Sequence, residues 1–316
     1  MEDKNKIYDV VIVGGGPSGM NAAIYAVRSG LKTILIEKAA YGGQIVDTYE
    51  VSNYLGFENI NGYELAEKMR KQVKNLGAEI LSDNPTELDI ESKIKTIKTA
   101  NKRTIKGKTV ILSMGAASRK LGLEREDELS GKGVSYCAIC DGAFFKGREV
   151  AVVGGGNTAL EDLLYLSKVA KKVYLVHRRD KFRADQVTVD DMEKKLNSKD
   201  NNIELVLNSE VVGLKGDQFL EGISVYNKKE KVTRDINLNG LFIAIGRTPN
   251  TNIIKEKINL TEDGYIKSND KMETNFPGVY VAGDIREKEI RQIITAAADG
   301  AIAATNANNY IRQNFE

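Results

Sequence analysis

The chain has two cysteines, a single histidine, no charge imbalance and no long apolar run, and each shortage excludes something. Two cysteines in 316 residues cannot build the disulfide framework of a secreted scaffold. A reducing compartment is therefore expected, with the pair active rather than structural. The one histidine, His177, cannot serve a catalytic site elsewhere. A closed zinc site needs four nitrogen or sulfur ligands, so two cysteines and His177 fall short unless subunits share the metal. Lysine plus arginine, 46, nearly cancels aspartate plus glutamate, 44, so no global field draws the protein to nucleic acid or an anionic membrane. No stretch approaches the roughly 18–20 apolar residues that cross a bilayer. The start, MEDKNKIYDVVIVGGG, reads as a first strand rather than a secretory segment. A cytosolic protein is expected. No low-complexity linker or charge block marks a boundary, so domain junctions must be short crossovers, near Gly115–Ser118 and Gly246–Thr248.

The chain does contain a long-range repeat, and its length suits two domains. Tyr8–Val13 is an apolar strand, GGGPSG follows from Gly14 to Gly19, and Met20, Ala23, Ile24 and Val27 mark one face of a helix. Lys32–Glu37 is the next strand. The same order returns as strand Glu149–Val153, GGGNTA from Gly154 to Ala159, a helix facing inward with Leu160, Leu163 and Leu164, and strand Lys172–His177. Gly14 to Glu37 spans 23 residues, as does Gly154 to His177, so two nucleotide-binding units share one spacing. The fold class is α/β, two Rossmann-like three-layer nucleotide-binding domains. Asn202–Tyr226 alternates as a β-meander closing a mixed sheet in the second unit. Thr274–Asp284 reads as a strand ending in Gly-Asp, followed by an alanine-rich helix over about Arg291–Tyr310.

In a GxGxxG turn the first glycine permits the bend, the second lets backbone N–H groups approach pyrophosphate, and the third lets helix and strand pack closely. Gly14, Gly16 and Gly19 satisfy it, and Gly154, Gly156 and Ala159 use the permitted alanine. One such turn is weak evidence, but here each lies between a predicted strand and helix. Glu37 offers a carboxylate to a free adenosine ribose, as FAD or NAD requires, and would repel a 2′-phosphate. The matching position carries HRRDKFRAD, and Arg178, Arg179 and Arg183, with His177 read into the cluster, favour the 2′-phosphate of NADPH. The bland alternative is a solvated basic helix start. Asp284 would accept hydrogen bonds from ribityl hydroxyls, and a helix beginning at Arg291-Gln292 would aim its positive end at a flavin. A strand ending in Gly-Asp is common when taken alone.

Both cysteines lie in VSYCAICDGAFF. The spacing of Cys137 and Cys140 lets one turn bring the sulfurs to bonding distance, forming a disulfide that opens and closes without rearranging the fold. Asp141, next in sequence, can take up and return the proton that accompanies thiolate formation. An inert buried pair is the competing reading. Phe144 and Phe145 suit either a docking surface or the core.

In order and spacing GGGPSG, GGQ (Gly42–Gln44), CAICDG, GGGNTALED, HRRDKFRA, IAIGRTPNT, VYVAGD and RQIITAAADG make the chain resemble the low-molecular-weight bacterial thioredoxin reductases over essentially its whole length. The resemblance implies an FAD domain in two segments, 1–116 and 247–316, with an NADPH domain carrying the redox disulfide, 117–246, inserted between them. It implies a homodimer, a domain rotation that alternates the disulfide and NADPH at the flavin, and thioredoxin as a separate partner. It also assigns Cys140 to face the flavin, Cys137 to attack the thioredoxin disulfide and Asp141 to manage protons. Pro17, Ser18, Gly43, Gln44, Asn53, Gly115, Gly283 and Ile293 join the flavin set. Asn157, Thr158, Ile245 and Gly246 join the NADPH set. The sequence departs from the family's pattern at Leu55, Ser113-Met114 and Glu124. A flavoenzyme of the same fold fed by ferredoxin or another donor would need neither HRRDKFRA nor GGGNTA. A reductase of a different disulfide protein, or a non-catalytic redox sensor, would share most of these motifs.

Overall fold

The computed structural model describes residues 6–38, 41–48 and 51–315. The chain divides into two compact units, residues 1–46, 51–117 and 248–316 in one and residues 47–50 and 118–247 in the other. Both are three-layer α/β structures of the Rossmann type.

In the first unit the strand Ile7–Val13 lies central, flanked by Thr33–Glu37 and Glu79–Ser82 on one side and Thr104–Leu112 on the other, all parallel. Val10 to Val13 are at most 1% exposed, because a parallel sheet is covered on both faces and its strands read as unbroken apolar runs. One cover is a helix pair, Pro17–Arg28 and Ile293–Asn314. Small residues let the two approach: Ala22, Ala23 and Ala26 face Ala303, Ala304 and Ala307, and a Cβ on Gly300 would lie 2.1 Å from the Ser18 carbonyl oxygen. Beyond Thr104–Leu112 the sheet continues antiparallel through Lys95–Thr99 and Pro85–Asp89, whose Leu88 and Ile97 share an apolar cluster with Val11 and Val13. Val279–Val281 completes the sheet against the end of Thr104–Leu112. The strand expected over Thr274–Asp284 is thus only three residues long, since the turn at Pro277-Gly278, with Gly278 at φ +74°, interrupts it. The alanine-rich helix begins at Ile293, where Gln292 and Thr295 form a reciprocal cap.

The second unit centres on a five-stranded parallel sheet in the order Ile203–Val206, Lys172–Val176, Glu149–Gly154, Gly240–Ala244, Val134–Ser135. The meander expected over Asn202–Tyr226 is corrected here. Ile203–Val206 is a parallel strand of this sheet, and the antiparallel sheet is a separate one of three strands, Ser209–Lys215, Gly222–Asn227 and Val232–Asn237. Alternation reads alike in parallel and antiparallel strands. The helix Gln186–Leu196 supplies the crossover that returns Ile203–Val206 beside Lys172–Val176.

Segments 116–118 and 247–249 pair as a two-stranded sheet. On one side Arg119 N–H donates to the Gly246 carbonyl at 3.0 Å, and on the other Asn250 N–H donates to the Gly115 carbonyl at 3.0 Å. No helix of the described residues is long and apolar enough to cross a membrane.

Candidate functional site

Both glycine turns are shaped by contacts that leave no room for side chains. At Gly14, φ is +108° and a Cβ would lie 2.3 Å from the Ser113 carbonyl oxygen; at Gly19 a Cβ would lie 1.9 Å from the Gly14 carbonyl oxygen. Around Gly16, by contrast, nothing stands within 4 Å of an added Cβ, so that side is open to a ligand. The helix Pro17–Arg28 starts there with no capping side chain and no acidic residue in its first turn. Uncapped N–H groups of this kind suit a pyrophosphate. The buried Glu37 closes the turn, its Oε2 accepting the Gly15 N–H at 2.6 Å, and a carboxylate retains further lone pairs for a ribose. Ser113, flagged only as a departure in sequence, donates from a buried hydroxyl 2.9 Å from both the Val13 and Gly14 carbonyls.

Further flavin candidates gather in this unit. Gln44 donates to the Ala116 carbonyl, beside Gly115 at φ +66°. Gly43 begins a 3-10 turn, with φ +58°. Asn53 donates to the Gln292 side chain at 3.1 Å, tying a loop to the start of the helix whose first residue is Ile293. Gly283, with φ +80°, faces Ser18, whose Oγ would lie 2.5 Å from an added Cβ, and Asp284 follows with a buried Oδ1. Arg291 stacks over the Tyr265 ring at 4.2 Å and keeps a buried Nε without a hydrogen-bond partner. That orphaned donor and the open face at Gly16 fit a polar, phosphate-bearing group. Sequence reading missed the buried Asp299, which accepts the Gly283 N–H at 3.0 Å and pairs with Arg286 at 3.3 Å and Lys288 at 2.8 Å. The motif RQIITAAADG contains it, but nothing local says that its partners lie 11 and 13 residues upstream.

The second turn repeats the arrangement. Gly154 has φ +157°, Ala159 packs beneath it, and the helix Asn157–Leu166, with Thr158 in its first turn, begins at Gly156 without a side-chain cap. The helix start at Asn157 and Thr158 is thus uncapped by any side chain and lies next to an open glycine, as in the first unit. Gly246 has φ +107°, after the half-buried Ile245. The segment after Val176 lies against this turn. Arg183 N–H donates to the Gly155 carbonyl at 2.7 Å, while Asn157 and Asp185 exchange two hydrogen bonds, each 2.7 Å. Asn157 thus organises the loop, through an aspartate the motif did not single out. Arg178, Arg179 and Arg183 are exposed, which leaves their guanidinium groups available to a phosphate. His177 is different: it is 6% exposed, lies under Gly155 and stacks on Phe182 at 5.3 Å. Burial, reinforced by Arg178 and Arg179, pushes its pKa down. It supports the loop as a neutral ring rather than adding positive charge.

In the same unit Cys137 and Cys140 form a disulfide, Cα to Cα 5.3 Å, across the short helix Ala138–Asp141. Cys140 N–H points at the Cys137 sulfur, 3.3 Å away. Burial raises the pKa of Asp141, and a hydrogen bond from Ser135 opposes the rise. Before the pair, the Tyr136 hydroxyl donates to Glu126 at 2.7 Å, and Glu126 also accepts the N–H groups of Leu121, Gly122 and Leu123. Phe145 is buried, edge-on to Phe242 at 5.2 Å, and Phe144 packs against the same core. Among the described residues no cluster of side chains is suited to a metal.

Two uncapped dinucleotide turns and a disulfide held at a helix turn define a nucleotide-dependent disulfide oxidoreductase. The chain belongs to the pyridine nucleotide-disulphide oxidoreductase family, which it matches over residues 8–300. It is 45% identical to a thioredoxin reductase of Peptoclostridium acidaminophilum, covering 98% of this chain and 99% of that one. It is 43% identical to a thioredoxin reductase of Listeria monocytogenes, covering 99% and 97%. The crystal structure of thioredoxin reductase from Streptococcus pyogenes superposes with a TM-score of 0.90 at 37% identity, covering 98% of this chain and 99% of that one.

Proposed function

We infer that this enzyme is an NADPH-dependent thioredoxin-disulfide reductase whose cofactors are FAD and NADPH. The observation that carries the reading is the Cys137–Cys140 disulfide in the same unit as an arginine-rich dinucleotide turn. Bound FAD supplies a carrier that accepts two electrons as hydride and passes them to a disulfide as a pair. Residues 1–116 and 247–316 would hold it, and 117–246 would hold NADPH. In the first part Gly14, Gly16, Pro17, Ser18 and Gly19 present N–H groups or space to pyrophosphate, and Glu37 orients the adenosine ribose. In the second, Gly154, Gly156, Asn157, Thr158 and Ala159 do the same, and Arg178, Arg179 and Arg183 hold the 2′-phosphate.

The net first half is NADPH plus a proton plus the Cys137–Cys140 disulfide giving NADP+ and the dithiol. In the second half the Cys137 thiolate attacks the thioredoxin disulfide. One sulfur–sulfur bond forms as another breaks, and the departing thiolate takes a proton. Cys140 then attacks Cys137, restoring the internal disulfide and releasing dithiol thioredoxin. Asp141 supplies and recovers the proton. The working state is a cytoplasmic homodimer with thioredoxin as a separate partner; the full-length likeness to thioredoxin reductases supports the partner.

Anaerobic titration of the purified yellow protein with NADPH, with and without thioredoxin, tests this. Repeated turnover is expected once thioredoxin is present. A single round of self-reduction, indifferent to thioredoxin, would refute it.

A further inference from the structure

Ser135 lies in the two-residue strand Val134–Ser135, whose neighbour Gly240–Ala244 fixes its backbone, and it is 5% exposed. Its Oγ accepts the Cys137 N–H at 3.1 Å and donates to Asp141 Oδ2 at 2.6 Å. The Cys137 carbonyl is a more distant acceptor at 3.4 Å. The other carboxyl oxygen, Asp141 Oδ1, is buried and has no hydrogen-bond partner. The two oxygens of this carboxyl are therefore in opposite situations, one anchored by a short bond and one left bare.

We propose that Ser135 is a positioning residue for the proton-handling carboxyl of Asp141, holding Oδ2 in both protonation states and leaving Oδ1 as the atom that gains and loses the proton. This deepens the reading of Asp141 as the acid and base of the dithiol, and rests on it. With the proton on Oδ1, Oδ2 is a carbonyl-type oxygen and still accepts from Ser135. With the proton gone, the same bond becomes charge-assisted and stronger. The hydroxyl thus favours the charged form without having to move. Without that anchor burial alone would act, and the carboxyl would hold its proton more tightly.

Among the described residues no charged neighbour takes over that task. The helix Asn157–Leu166, packed on this turn, brings Glu161, Asp162 and Tyr165, the last with its ring beside Gly142. Cys137 and Cys140 are joined, and Tyr136 is engaged with Glu126. The Ser135 hydroxyl opposes the effect of burial on Asp141.

The test is infrared titration of the oxidised holoenzyme, following the protonated-carboxyl band that disappears in Asp141→Asn, alongside the pH profile of thioredoxin turnover. Ser135→Ala should raise the midpoint of that band by about one pH unit, as loss of one hydrogen bond to a charged group implies. The corresponding limb of the turnover profile should move with it. Ser135→Thr should keep the parent midpoint, and Ser135→Val, with the same shape but no hydroxyl, should follow alanine, so the pair decides the matter even if alanine folds poorly. An unmoved midpoint in Ser135→Ala or Ser135→Val, with the band still lost in Asp141→Asn, overturns the role of Ser135 and leaves the acid–base reading intact. A band and limb that persist in Asp141→Asn overturn both.

Discussion

Asp162, on the helix Asn157–Leu166 of the second unit, is a buried carboxyl, 9% exposed. Burial, then the adjacent Glu161, push its pKa up to about 7, with Arg247 opposing. Its folded pKa lies above the unfolded one. The unfolded chain therefore gives up this proton first as pH rises, and stability falls between about pH 4 and pH 7. Asp162→Asn removes that penalty. It should melt on the order of a few degrees above the parent at pH 8, the gap closing toward pH 5, as read by thermal unfolding with FAD in excess. At this scale the sequence was partly legible. Gly14, Gly19 and Gly154 could be read because only glycine fits the backbone, and the cysteine pair could be read from its spacing. Ser113, Ser135, Asp185 and Asp299 could not, because each acts through a hydrogen bond to a residue that only the folded chain brings near. His177 shared its position with the arginines but not their exposure, and burial is not written in a run of basic letters.

At the scale of elements, the segment after Val176 works as a rigid frame rather than a loose basic loop. Arg183 N–H and the Asn157–Asp185 pair fasten it to the glycine turn, so the backbone beside Arg178 and Arg179 is held while their side chains stay exposed. Replacing both by alanine should raise KM for NADPH by about 10- to 100-fold, as the loss of one or two charge-assisted bonds implies, and should leave KM for NADH nearly unchanged. Steady-state kinetics with the two nucleotides checks this, and equal changes would mean that the cluster does not read the 2′-phosphate. The repeated strand, turn and helix were legible because periodicity and glycine spacing are local. The helix Gln186–Leu196 was not anticipated, so Ile203–Val206 was read into the meander, and the Pro277-Gly278 turn shortened a strand that composition alone had extended.

At the scale of the whole molecule, the proposed function passes one electron pair through a flavin and then a disulfide, so the steps should separate by mutation. With Cys137 as the proposed attacking thiolate, Cys137→Ser should lower reduction of thioredoxin by at least about 1000-fold. Reduction of the flavin by NADPH should proceed at the parent rate in stopped-flow absorbance. Loss of both would show that the order of the two sulfurs has been assigned wrongly. A fold of two α/β units was legible from the equal spacing of the two turns. The separate antiparallel sheet was not, because its partner choice depends on where the preceding crossover ends.

The paired segments at 116–118 and 247–249 set the ends of a long insertion side by side. Asn250 meets Gly115 across a hydrogen bond, so the first unit's chain leaves and returns at neighbouring points although 134 residues lie between the two. Adjacent entry and exit points of this kind are the arrangement in which a domain insertion is tolerated, because the surrounding unit need not stretch to span it.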